Sequence, residues 1–128
     1  WANLEYFIKA IMPTAEEAGV KMAIHPDDPP YGIFGLPRII TGQEAVERFL
    51  NLYDSEHNGI TMCVGSYASD PKNDVLAMTE YALKRKRINF MHTRNVTAGA
   101  WGFQETAHLS QAGDIDMNAV IKLLVDYD

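Results

Sequence analysis

The feature that most restricts how this 128-residue chain can fold is a regular alternation of amphipathic helical stretches with short apolar runs. Leu4, Phe7, Ile8 and Ile11 recur at the i, i+3, i+4, i+7 spacing of a helix with one buried stripe, and Asn3 is placed to be its N-cap. Pro13 interrupts that pattern. Thr14 with Glu17 makes a capping box, so a second short turn or a kinked continuation is expected to run to Gly19. Val20 to His25 is then the first strand. Thr41 with Glu44 forms another capping box, ahead of a helix whose Val46, Phe49, Leu50 and Tyr53 face inward. The Asn58-Gly59 pair marks a turn, and Ile60 to Val64 reads as a second strand, apolar as befits one covered on both faces. Gly65-Ser66-Tyr67 follows as a loop. Asp70-Pro71 opens a helix with Val75, Leu76, Thr79, Ala82 and Leu83 on its inner side, and Lys84-Arg85-Lys86-Arg87 closes it, complementing the helix dipole. Ile88 to His92 is the third strand. The residues after it, including Trp101, Phe103 and His108, have weak periodicity and are expected to form a long loop. Asp116 caps a last helix with Met117, Val120, Ile121 and Leu124 on its core side.

No hairpin signal separates successive strands, so the alternation predicts an α/β fold of parallel strands joined by right-handed crossovers. A doubly wound open sheet and a segment of an eight-stranded barrel compete as architectures. Three strands are too few to close a barrel, and their edges need cover. Residues 1–128 are therefore expected to be a single segment of a longer barrel that this chain leaves incomplete. Asp128 stands where a further strand is due.

The formal net charge of −6 argues against a general nucleic-acid binder, because neutralising phosphates requires a basic face. No apolar run approaches the ~18 residues of a membrane span, so neither nucleic acid nor membrane is an expected partner and a small molecule is. Cys63 is the single cysteine, which excludes an internal disulfide and suits a reducing compartment.

Chemistry concentrates where the strands stop. His25-Pro26-Asp27-Asp28-Pro29-Pro30 follows the first apolar run, and proline, lacking an N–H, ends a central strand. The prolines stiffen the loop that carries Asp28, which suits a site that must hold a metal or a sugar in one geometry. Cys63 and His92 lie at or beside the ends of the other two strands. In a parallel α/β fold these ends share one face, so His25, Cys63 and His92 are candidate ligands of a borderline metal such as zinc, iron or manganese. A lone strand cysteine also makes an ordinary core residue, and lone histidines are often structural. Arg94 and Asn95 follow the third candidate ligand, and a planar guanidinium can hold a substrate carboxylate. Arg38 lies in the long glycine- and proline-rich loop between Pro26 and Ile40 and His108 in the long loop after the third strand, and both can close over a substrate. His57 is assigned to solvent, and Asp54, Glu56, Asp114 and Asp116 to turns and caps. No glycine-rich phosphate fingerprint or nucleophile elbow is present, which weakens nucleotide-binding and serine-hydrolase readings.

His25-Pro26-Asp27-Asp28-Pro29-Pro30, with Phe34-Gly35-Leu36-Pro37-Arg38-Ile39 after it, resembles the signature of the mannonate dehydratase family. Met62-Cys63-Val64-Gly65-Ser66, Met91-His92-Thr93-Arg94-Asn95 and Glu105-Thr106-Ala107-His108-Leu109 follow in the family's order. The resemblance implies the C-terminal part of a TIM barrel of the xylose-isomerase-like group. It implies a hydro-lyase that dehydrates D-mannonate to 2-keto-3-deoxy-D-gluconate in hexuronate breakdown. It also implies Mn2+ or Fe2+ held by His25, Cys63, His92 and an aspartate that, with an adjoining histidine, lies on the next strand, beyond Asp128. The principal catalytic acid and base are then expected beyond Asp128 as well. His108 is left as the catalytic candidate within the chain, Arg94, Asn95, Arg38 and Asp28 as substrate-binding candidates, and the isolated chain as inactive. Members commonly associate, so a cytoplasmic homo-oligomer is expected. A metal-dependent sugar isomerase on the same barrel is the alternative, though such sites favour carboxylates over a thiolate. A non-catalytic fragment is a further one.

Overall fold

The computed structural model describes residues 1–127. Helix α1 (Ala2–Glu17) leads into strand β1 (Met22–Ile24), helix α2 (Gln43–Leu50) and strand β2 (Asn58–Cys63). Helices α3 (Val64–Ala68) and α4 (Val75–Lys84) precede strand β3 (Ile88–His92). Strands β4 (Asn95–Gly99) and β5 (Gly102–Thr106), a 3₁₀ turn at Ser110–Ala112 and helix α5 (Met117–Asp126) complete the order. The expected parallel sheet is present as β1-β2-β3. Met22 pairs with Asn58 and Ile24 with Ile60; a register shift after Ile60 then sets Thr61 beside Phe90 and Cys63 beside His92. Among the described residues no helix is long and apolar enough to cross a membrane.

Side chains alternate across a strand, and the two faces of this sheet differ. Ile60 and Met62 are fully buried in the apolar core with Ile8, Met12, Phe49, Met78 and Val120, which come from the helices. On β3, Phe90 is 58% exposed and His92 is exposed. The helices thus cover one face, and the other is open at Phe90 and His92 on β3 while Thr61 and Cys63 beside them are buried.

Several elements depart from the sequence expectation for identifiable reasons. Helix α1 runs unbroken through Pro13 from Trp1, not Asn3, as its N-cap. Proline costs the helix a bond to the carbonyl of Lys9, but Lys9 and Pro13 are both exposed, so water can serve that carbonyl while Ile8, Met12 and Ala15 bury the opposite face. Gly19, at φ 65°, ends the helix in the left-handed conformation that glycine tolerates. The Thr41 capping box does not form: Gly42 is the N-cap of α2 and makes no side-chain cap. Helix α4 starts at Asp74, whose carboxylate accepts from Ala77 N at 3.0 Å, and not at Asp70.

Asn58-Gly59 opens β2 and is not a turn. Asn58 is buried and donates through Nδ2 to Tyr53 O at 3.0 Å, while a Cβ at Gly59 would lie 2.7 Å from Arg87 O. Glycine is required there for close approach of the next strand. The basic run does not serve only the dipole at the end of α4 either. Arg87 is buried, donates to Asn58 O at 3.0 Å and pairs with Asp54, which is therefore more than a turn residue.

The expected long loop after β3 is a hairpin. Strands β4 and β5 pair antiparallel from Asn95↔Thr106 to Gly99↔Gly102 around Ala100-Trp101. That pair lacks the Asn-Gly or Asp-Gly chemistry by which a two-residue hairpin turn is recognised. The hairpin is pinned from its base: the Asn95 amide donates to Ala107 O and Leu109 O and accepts from Val96 N and Ile115 N.

Candidate metal centre

The parallel register brings the three strand ends together. His25 follows β1 directly, and Cys63 and His92 are partners in the last pair of β2 and β3. One potential ligand atom from each of His25, Cys63 and His92 lies within 4.8 Å of the others. Cys63 Sγ is 3.4 Å from His92 Nδ1, and the two imidazole rings are 6.0 Å apart, tilted by 57°. His25 Nδ1 is 2.7 Å from Pro26 O. A carbonyl only accepts, so Nδ1 carries the proton and Nε2 keeps a free lone pair, the tautomer a metal-binding histidine needs. The sulfur is buried and fixed, while both imidazoles are exposed and reachable. Two nitrogens and one sulfur at this spacing fit a borderline divalent ion such as zinc, iron or manganese.

A polar network stands behind the sulfur. Asp28 Oδ2 accepts from Arg94 NH2 at 2.6 Å and lies 3.1 Å from Ser66 Oγ. Ser66 Oγ in turn is 3.0 Å from Cys63 Sγ and accepts from Arg94 NH2 at 3.0 Å. Gly65 makes room: a Cβ there would lie 2.6 Å from Arg94 Cγ. Burial works against the charge of Arg94, but Asp28, the Cys63 sulfur and Glu105 outweigh it, so the guanidinium is held above its ordinary pKa. Its Nε is buried and has no partner among the described residues. Beside the network, burial, helped by Cys63 and Asp27, pushes the Tyr67 hydroxyl well above its ordinary value and keeps it neutral.

Asp27 organises the loop. Its Oδ2 accepts from Ile39 N at 2.9 Å and Ile40 N at 2.8 Å, and its Oδ1 from Arg38 at 3.2 Å. The long stretch after β1 is thereby folded back beside the strand ends.

The residues expected at this face separate into two groups. His25, Cys63, His92, Asp28 and Arg94 come together. Arg38 lies farther along the loop, engaged with Asp27, and His108 is exposed in the turn after β5, whose Glu105 pairs with Arg94 at 3.6 Å. Asn95 was expected to bind substrate; it is fully buried and its amide is used up by the base of the hairpin, so it turns away from the open face. Asp27 belongs to the proline-flanked stretch already read as part of the site, whereas no role for Gly65, Ser66 or Glu105 is read from the sequence. Cys63 and Ser66 stand one helical turn apart, a neighbour relation visible only if α3 is helical, whereas Gly65-Ser66-Tyr67 reads as a loop.

The family model described as D-mannonate dehydratase (UxuA) matches residues 1–128. The chain is 98% identical over 128 residues to the mannonate dehydratase of Streptococcus suis (strain 05ZYH33), covering 100% of this chain and 35% of that protein. It is 63% identical to the one from Streptococcus agalactiae serotype III (strain NEM316), covering 99% and 37%. The crystal structure of mannonate dehydratase from Streptococcus suis serotype2 superposes with a TM-score of 0.99 at 98% identity, over 100% of this chain and 37% of that one. The chain thus spans about a third of the length of the curated relatives it matches. With a family model matched along its whole length, the chain belongs to the D-mannonate dehydratase (UxuA) family.

Proposed function

We propose that this chain carries three ligands of a manganese or iron centre in a mannonate dehydratase, a cytoplasmic homo-oligomeric enzyme that converts D-mannonate to 2-keto-3-deoxy-D-gluconate and water. The observation that carries this reading is the convergence of His25, Cys63 and His92 to within 4.8 Å at the ends of adjacent parallel strands. The names of its relatives supply the substrate. We place the chain in the C-terminal part of a (β/α)8 barrel. Support comes from the parallel order β1-β2-β3, the helices on one face, the exposed Phe90 on the other, and the unpaired outer edges of β1 and β3 among the described residues.

His25, Cys63 and His92 would hold the ion. Bound there, it would supply electrostatic stabilisation of the charge that develops beside the substrate carboxylate as the C2 proton leaves. Arg94 neutralises and orients that carboxylate. Its guanidinium is anchored by Asp28 on one side, and among the described residues its other carboxylate contact is the longer, exposed one to Glu105. Asp28 acts by fixing Arg94. Arg38, tied to Asp27, keeps the loop over the site, and His108 on its exposed turn positions the sugar hydroxyls. The principal acid and base of the dehydration come from the part of the longer relatives that this chain does not span.

The test is to supply D-mannonate and Mn2+ or Fe2+ to the chain extended to the length of its relatives and to follow keto-acid formation. A folded, metal-loaded protein that forms no keto acid rejects the proposal.

A further inference from the structure

We infer that Ser66 is a positioning residue for the Cys63 sulfur, directing its one hydroxyl proton onto Sγ because Arg94 satisfies the competing carboxylate of Asp28. The inference rests on Cys63 serving as a metal ligand, as proposed above.

Ser66 is fully buried, with three polar partners around its oxygen: Cys63 Sγ at 3.0 Å, Asp28 Oδ2 at 3.1 Å and Arg94 NH2 at 3.0 Å. A hydroxyl has one proton to give and two lone pairs to receive with. Arg94 can only donate, so it occupies a lone pair and leaves a single proton for two acceptors. The acceptors are not equally needy. Asp28 Oδ2 already receives a charge-assisted bond from Arg94 at 2.6 Å, and Asp28 is exposed enough for water to reach it. The sulfur is fully buried, and among the described residues only Ser66 and His92 lie within hydrogen-bond distance of it. A His92 that ligates through Nδ1, the nitrogen beside the sulfur, has no proton to spare there, and Ser66 is then the donor that stabilises the negative charge a ligand sulfur carries.

The fold holds this arrangement in place. Ser66 sits one turn after Cys63 because the chain enters α3 directly from β2, and Gly65 lets Arg94 lie against that turn. The positive charge of Arg94 is relayed to the sulfur through one hydroxyl.

The test uses the chain extended to its relatives' length and loaded with Co2+, whose thiolate-to-metal charge-transfer band reports on the sulfur directly. In Ser66→Ala the sulfur loses a donor and gives up charge more readily, so the band moves to lower energy. Co2+ affinity, measured by competition with a chelator, falls roughly ten- to a hundredfold. Ser66→Thr, which keeps the hydroxyl, holds the band at the parent energy. Arg94→Met frees the Asp28 carboxylate to capture the Ser66 proton and moves the band in the same direction as Ser66→Ala, so a test remains should the alanine variant not fold. A parent band that neither Ser66→Ala nor Arg94→Met displaces overturns the role of Ser66. A parent protein that binds Co2+ without any thiolate band overturns the assignment of Cys63 itself.

Discussion

Both ends of the parallel sheet carry a largely buried arginine facing a carboxylate, and both carry a histidine, but the two ends use these groups differently. At the end where the strands begin, Arg87 pairs with Asp54, but the inward-facing polar side chains mainly meet backbone. Arg87 donates to Asn58 O, Asn58 to Tyr53 O, Asn89 to Met22 O at 2.7 Å and Glu56 O at 3.0 Å, and His57 Nδ1 meets Val20 O at 2.9 Å. At the end where the strands stop, Asp27, Asn95 and His25 Nδ1 also meet backbone, but Arg94, Asp28, Ser66 and Cys63 form a connected side-chain group, and the outward atoms of His25 and His92 stay free. Polar atoms taken up by backbone carbonyls are not themselves available to a ligand. Polar groups that fix one another leave lone pairs and charge pointing outward, which is the preorganisation a site needs.

Substitutions at the two ends should therefore separate binding from stability. The largest effect is expected from Cys63→Ser in the extended chain, where metal affinity falls by about a hundredfold or more and turnover falls with it, while the fold persists. Metal analysis of the purified protein checks this, and unchanged stoichiometry removes Cys63 as a ligand. Asn95→Ala, beside the site in sequence but structural in role, should lower stability by about 3 kcal/mol in urea unfolding, because it strips the base of the hairpin of several buried hydrogen bonds. Full metal retention in that variant sharpens the division, and metal loss without destabilisation breaks it. Arg87→Met at the opposite end should cost about 2 kcal/mol for the carbonyl of Asn58 left without its donor, with no change in metal content. The smallest effect belongs to the second histidine of the comparison. His57→Ala should shift stability by about 0.5 kcal/mol or less and leave metal binding untouched, whereas His25→Ala should lose the metal. Equal metal loss in both variants would erase the distinction between the two ends.

Helices α1, α2, α4 and α5 and the parallel strands were legible because their signals are local, whereas the short α3 reads as a loop. The 3.6-residue stripe of α2, the Asp116 cap of α5 and the apolar run of β3 are each written within a few neighbouring residues. Elements whose cause is distant were not. Gly59 looks like turn chemistry until Arg87 O is seen against it, and the hairpin β4-β5 has no turn signature because Asn95 secures it from the other end. Pro13 predicts a break that the burial of Met12 and Ala15 overrides.

For the candidate site the same division holds. Residue type and spacing alone placed His25, Cys63 and His92 at consecutive strand ends, since a parallel α/β chain returns each strand end to one face. Only the tertiary structure decided which neighbours act with them. Asp28 is 38 residues from Ser66 and 66 from Arg94, and such side chains meet only after the sheet has set its register. The fold likewise separated Arg94, which reaches the sulfur's surroundings, from the adjacent Asn95, which is buried under the hairpin, because successive residues of an extended chain point to opposite sides.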